Sequence, residues 1–191
     1  MEKRLRELAE QARTEDVYPS VLFPPSMYYR FLKLLAEEYK PKLSVELGVC
    51  GGGGSLHMAI GNPDGHVVGV DYQYDHPESV GHIEENYDNF TFMKADSVKA
   101  ASEIADRYGK IDLLFVDTDH IYSRTIEEYE TYKPLMSDTG IMCFDDILRH
   151  HPHDKLSMND AWNKIEGNKI RVDHLHDGVY PHGGGFGVVF K

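Results

Sequence analysis

Val45-Glu-Leu-Gly-Val-Cys-Gly-Gly-Gly-Gly-Ser55 is the stretch that decides how this chain folds. A short apolar run, Leu43–Leu47, leads into the glycines, and a helical pattern follows at about 54–60. Strand, glycine turn and helix in that order open a βαβ unit. Glycines let a ligand approach the backbone closely, and the N-terminus of the following helix favours an anionic group. Outward from there the alternation continues. Apolar runs at His66–Val70, Phe90–Met93, Ile111–Val116 and Gly140–Phe144 read as strands, and helical patterns at about 78–86, 97–108 and 122–136 separate them. In the last helix Tyr122, Ile126, Tyr129, Tyr132 and Met136 form one stripe. Such alternation gives right-handed βαβ units and a mostly parallel sheet. Ile111–Val116 is the most continuously apolar run and belongs at its centre.

Both ends depart from this pattern. Leu5, Leu8, Ala9 and Ala12, then Met27, Phe31, Leu34 and Leu35, repeat at helical spacing on either side of the proline-containing 17–25, with Ser26 as an N-cap. At the other end a helix around 156–166 leads into a strand at Ile170–Leu175. A turn through Asp177-Gly178, Pro181 and Gly183-Gly-Gly185 follows, and then the strand Gly187–Phe190. With no helix between these last two strands, they pair as a hairpin and the final strand runs antiparallel. The expected organisation is a helical segment, 1–40, followed by one α/β domain, 41–191.

The chain's 191 residues fit one domain, and 41% hydrophobic with 27% charged residues is a globular composition. Lys plus Arg total 20 against 32 for Asp plus Glu, a formal charge of −12. That balance disfavours a nucleic acid or an anionic membrane as partner. No apolar run approaches the length of a membrane span. Cys50 and Cys143 provide no disulfide framework. The polar start MEKRLRELAEQART lacks a signal-like apolar core, so a reduced, cytoplasmic protein is expected. The N-terminal helices offer a pairing surface for a second copy.

Acidic residues fall at successive strand ends. Asp71 ends the second strand, where a carboxylate can accept from both ribose hydroxyls of a nucleoside. Asp96-Ser97 ends the third, where a carboxylate can accept from an adenine amino group. The dinucleotide fingerprint G-x-G-x-x-G is not met, because Cys50 stands two places after Gly48. The segment resembles instead the first motif of class I S-adenosylmethionine-dependent methyltransferases. The resemblance covers about 43–191. It implies a Rossmann-like methyltransferase fold with a seven-stranded, mostly parallel sheet and an antiparallel last strand. It further implies that Glu46, Gly48, Gly52 and Ser55 surround the methionine part of the cofactor, that Asp71 holds the ribose, and that Asp96 and Ser97 hold the adenine.

Asp117 ends the fourth strand in Phe-Val-Asp-Thr-Asp-His120, and Asp145 and Asp146 end the fifth in Cys-Phe-Asp-Asp-Ile147. Three carboxylates converging at one sheet edge repel one another, and a divalent cation relieves the repulsion. An all-oxygen set suits a hard ion such as Mg²⁺. The cluster is similar to the metal site of metal-dependent small-molecule O-methyltransferases, with D-x-D-H and F-D-D closest to the macrolide-sugar and cephalosporin-pathway subgroup. That likeness implies Asp117, Asp145 and Asp146 as ligands and His120 as general base, with Asp119 a rival ligand. The expected acceptor is a small hydroxylated molecule, a sugar or natural-product intermediate. The alternatives are a metal-free N- or C-methyltransferase, a nicotinamide-dependent oxidoreductase, and a binding module without turnover. His150-His151-Pro-His153 reads as a polar loop. Tyr18, Phe23, Tyr28 and Tyr29, together with Tyr72, Tyr74 and His76, are weaker candidates to border the cofactor or acceptor.

Overall fold

The structure is a computed structural model describing residues 1–14, 26–150, 155–176 and 184–190. Two helices come first, α1 (Glu2–Gln11) and α2 (Met27–Tyr39). The alternating part runs β1 (Leu43–Leu47), α3 (Gly53–Gly61), β2 (His66–Asp71), α4 (Pro77–Asn86), β3 (Phe90–Lys94), α5 (Ser97–Tyr108), β4 (Ile111–Val116), α6 (Tyr122–Tyr132) and β5 (Met136–Phe144). The chain closes with α7 (Met158–Lys164), β6 (Asn168–Arg171), a single 3-10 turn at Asp173–His176, and β7 (Gly187–Phe190). The seven strands form one sheet in the order β3-β2-β1-β4-β5-β7-β6. β1 to β5 are parallel, and β7 runs antiparallel to both β5 and β6. The central position of β4, the parallel sheet and the antiparallel last strand all agree with the sequence reading.

Alternation along β4 builds the two faces. Leu113 and Phe115 point into a core shared with α1, α2 and α3, through Leu5, Leu8, Phe31 and Met58. Leu114 and Val116 point into the opposite core, with Ile104 of α5, Tyr132 of α6 and Trp162 of α7. Burial of each such large apolar side chain contributes about 1.5–3 kcal/mol, so helices on both faces are needed to cover a sheet this apolar.

Several boundaries differ from those expected. α6 stops at Tyr132, because Pro134 has no N–H with which to continue the helical hydrogen bonds. Residues 133–135 form a 3-10 turn and Met136 already belongs to β5, so that strand begins four places earlier than the sequence suggested. The expected strand Ile170–Leu175 is a strand only to Arg171. Ser26 stands at the N-cap of α2 without a side-chain cap bond. The segment 17–25 with Tyr18 and Phe23, the residues His151 and His153, and the turn through Asp177-Gly178, Pro181 and Gly183 lie outside the described residues. Among the described residues no helix is long and apolar enough to cross a membrane.

Candidate active site at the carboxyl edge of the sheet

After β1 the chain winds outward through β2 and β3, then returns to place β4 on the other side of β1. Such a reversal opens a crevice at the carboxyl ends of the two central strands, where α/β sheets bind ligands. Ladder hydrogen bonds continue past the strand ends and set the loops in a row. Gly48 N–H donates to Val70 (2.9 Å), Ala95 N–H to Asp71 (2.9 Å), Asp117 N–H to Leu47 (2.8 Å) and Asp145 N–H to Val116 (3.0 Å).

The glycine loop is held by acids. Gly48 has φ +87°, and a side chain there would run into the Asp117 carbonyl. Gly52, at φ +78°, is the left-handed N-cap of α3. Cys50 also takes a positive φ, 46°. These turns bring Val49 N–H and Cys50 N–H onto Asp71 Oδ2 at 3.0 Å each, and Gln73 N–H donates to Asp71 Oδ1 at 3.0 Å. Glu46 is buried beneath the loop. It accepts from the Ser55 N–H (2.8 Å) and the Ser55 hydroxyl. Burial, with Asp117 nearby, pushes its carboxyl up to about 8 despite those bonds.

A cleft lies over this loop, lined by Gly48, Cys50, Asp71, Tyr72, Ser97 and Asp117 among others. Asp96 is not in its lining. One of its oxygens caps α5 by accepting from Val98 and Lys99 N–H (3.1 Å each), and the other accepts from Arg124 at 2.8 Å. Burial works against its charge, but the Lys99 N–H, the Arg124 guanidinium and the Val98 N–H outweigh it and hold the carboxyl below its usual range. Ala95 and Ser97 form that wall instead. Ser97 hydroxyl donates to the buried Glu128 at 2.5 Å, Thr118 hydroxyl donates to Glu128 at 2.9 Å, and Arg124 donates to Ser97 at 2.7 Å. Burial raises the Glu128 carboxyl to about 7.

At the β4–β5 end the acids face one another. Asp117, His120 and Asp145 form one close group and Asp145, Asp146 and His176 a second, each with ligand atoms within 4.8 Å of one another. His120, at φ 54°, places Nε2 3.5 Å from Asp117 Oδ1 and 3.8 Å from Asp146 Oδ2. His176 Nε2 lies 2.7 Å from Asp145 Oδ1. Burial first, then the neighbouring carboxylates, pushes Asp117 and Asp145 well above the carboxylate range. His120 is lowered, because burial outweighs the pull of Asp146. Below them, Tyr28 packs on His176 at 5.2 Å and Tyr29 on His57 at 5.5 Å, so α2 seals the underside of the site. Asp119 and His150 are exposed and belong to neither group.

Sequence reasoning did not single out His176, Glu128 or Arg124. Arg124 and Glu128 are spaced i, i+4, which reads as a solvated pair, and only the packing of α6 against the start of α5 buries Glu128 and half-buries Arg124. His176 carries no local signal, since its neighbour His174 turns away to the Ala9 carbonyl at 3.0 Å.

Residues 45–147, more than half of the chain, match the family model described as a methyltransferase domain. The chain belongs to that family. It is a class I S-adenosylmethionine-dependent methyltransferase. No curated protein sequence matches it. Among solved structures it is similar to an O-methyltransferase from Bacillus cereus in complex with SAH, at 17% identity over 99% of this chain and 91% of that one, TM-score 0.69. It is similar also to the O-methyltransferase TomG from Streptomyces achromogenes, involved in tomaymycin synthesis and in complex with SAM, at 18% identity over 97% and 86%, TM-score 0.66. A methyltransferase from Geobacter sulfurreducens shares 19% identity over 99% and 86%, TM-score 0.64. At these identities the likeness concerns the fold.

Proposed function

We propose that this methyltransferase acts on a hydroxyl oxygen of a small molecule, a sugar or natural-product intermediate, with the help of a divalent cation. The observation that carries this reading is the pair of histidine–carboxylate groups sharing Asp145 beside the cofactor crevice. Burial and mutual repulsion push these carboxyls toward protonation, and a divalent cation among them would let them ionise as an oxygen donor set. When bound, S-adenosylmethionine supplies an electrophilic methyl group, and the cation makes an acceptor hydroxyl more acidic.

The chain's own residues do the rest. Gly48 and Gly52 allow the cofactor to approach the backbone. Asp71 receives its ribose hydroxyls, and the wall at Ala95 and Ser97 receives its adenine. Asp117, Asp145 and Asp146 hold the cation. His120, lowered by burial and so neutral at physiological pH, takes the acceptor's proton at Nε2. Tyr28 and Tyr29 exclude water from below.

The test has two arms. Thermal shift should rise with S-adenosylhomocysteine and not with NAD, because only a ligand of the folded state stabilises it. Methyl transfer to phenols and sugars should vanish on chelation with EDTA and return with added divalent cation. Full activity after exhaustive chelation assigns the reaction to a metal-free mechanism.

A further inference from the structure

The second histidine–carboxylate group contains a nitrogen donor that an all-oxygen magnesium site has no use for. His176 is 1% exposed, at the end of the 3-10 turn that follows β6. Its Nε2 is 2.7 Å from Asp145 Oδ1, and its Nδ1 is 3.7 Å from Asp146 Oδ1. Two ligand atoms sharing one ion, each roughly 2.0–2.2 Å from it, stand about 3–4 Å apart. The Nδ1–Oδ1 separation falls in that window. The 2.7 Å contact fits an Nε2–H donated to Asp145. A carboxylate that takes one ring N–H of a histidine turns the other ring nitrogen toward a metal.

Gly184 gives an independent indication. A Cβ at this position would collide with both Asp146 Oδ1 and the His176 ring, so a glycine here keeps the space between the two donors open. The chain at Gly184 is pinned to the Asp pair, because Leu148 N–H donates to the Gly184 carbonyl at 2.8 Å. Tyr28, at 5.2 Å between ring centroids, and Phe186, at 6.3 Å, sheathe the imidazole in aromatic surface and fix its plane.

We propose that His176 is a nitrogen ligand of the cation, and that it tunes the site to a borderline divalent ion of the cobalt, iron or zinc kind over magnesium. The inference rests on the reading that Asp145 and Asp146 hold a cation. Magnesium prefers oxygen donors in a strict octahedron, whereas imidazole raises affinity for the later first-row ions.

Chelator-stripped full-length protein is titrated with Co²⁺ and with Mg²⁺ by calorimetry. The Mn²⁺-loaded protein is examined by pulsed electron paramagnetic resonance for coupling to a directly bound imidazole nitrogen. Co²⁺ is expected to bind at least about tenfold more tightly than Mg²⁺, and His176→Gln to lower Co²⁺ affinity by about ten- to a hundredfold with Mg²⁺ affinity in the same decade. The nitrogen coupling should disappear in His176→Gln and survive in His120→Gln. Gly184→Ala, which fills the space between the donors and removes neither of them, should weaken Co²⁺ binding as His176→Gln does. Circular dichroism follows folding. If His176→Gln does not fold, Gly184→Ala and the signal in His120→Gln decide the matter. Coupling that survives loss of His176, or Mn²⁺ bound with no nitrogen coupling, overturns the proposal and leaves the cation reading standing. Absence of any cation binding in the parent protein overturns both.

Discussion

At the β1–β3 end of the carboxyl edge the acidic side chains are wired to backbone. Asp71 takes three N–H groups from its own loops, and Asp96 takes two from α5 plus the Arg124 guanidinium. At the β4–β5 end Asp117, Asp145 and Asp146 face one another and two histidines. The residue type and the position after a strand are the same, yet the electrostatics are opposite. Asp96 is held below its usual range, and Asp117 and Asp145 are driven well above it. Loop conformation makes the difference. Positive φ at Gly48, Cys50 and Gly52 curls N–H groups onto Asp71 in the first set of acids, and the first turn of α5 presents its own to Asp96. The second set is buried against its own kind. The first end is built to keep a shape. At the second, the Arg149 guanidinium meets Asp146 at 3.1 Å, while burial and mutual repulsion drive Asp117 and Asp145 toward protonation.

The sharpest break of this contrast is Asp145→Asn. It should abolish cation-dependent turnover and leave S-adenosylhomocysteine affinity within the same decade. The metal-free mutant should also melt no lower than the metal-free parent near neutral pH. The sign follows from the raised pKa of the Asp117–Asp145 pair. A carboxyl whose folded pKa is raised contributes most below its unfolded value, about 3.9, and that contribution is lost as pH rises through the folded value. A stability advantage of the metal-free parent over the metal-free mutant that grows from pH 4 to pH 7 would refute the claim that the Asp145 carboxyl is raised. His120→Ala comes next, with turnover lowered by roughly 10²–10⁴. In the parent, the rising limb of the pH–rate profile should sit to the acid side of about 6.5, the ordinary histidine value, because burial lowers this one. A mutant with parental turnover and the same limb would move the proton to another group.

The contrast also marks what could be read from sequence. The strands were legible because apolar runs alternate with helical periods. The acids were legible because each follows a strand directly, and a parallel sheet gathers such ends at one edge. How each acid is used was not legible. Asp96 spends its oxygens on a helix start and on Arg124, a residue that lies far along the chain and meets it only through packing. His176 reaches Asp145 because β6 and β7 fold back beside β5, a long-range placement without local pattern. The end of α6 was misjudged for a more local reason, since its apolar stripe ran on through Pro134 to Met136.

Asp71→Ala tests the wired end. Three N–H groups lose a charged acceptor, so the loop should loosen at a cost of about 1–3 kcal/mol in stability, and cofactor affinity should fall at least about tenfold. Calorimetry and a denaturant melt on the same sample separate the two effects. Unchanged affinity in a folded mutant would remove Asp71 from the ribose site.

Asp96→Asn should give the smallest effect. Asparagine caps a helix about as well as aspartate, so the bonds from Val98 and Lys99 survive. What is lost is the charge opposite Arg124, across a pair whose side chains are 39% and 21% exposed. Solvent screening holds such a pair to about 0.2–1 kcal/mol. The sign with pH is the reverse of that for Asp145. A carboxyl held low contributes above its unfolded pKa and loses that contribution as pH falls through its folded value. Parent and mutant melts should therefore differ slightly at pH 7 and converge as pH falls through the lowered folded value. Cofactor affinity should change by less than about threefold, which is well under 1 kcal/mol, because Ala95 and Ser97 line the cleft and the Asp96 carboxylate does not. A tenfold loss of affinity in a mutant of near-parental stability would show that Asp96 leaves Arg124 to receive the adenine amino group when the cofactor arrives. The wired end would then be a latch that opens on binding rather than a fixed frame.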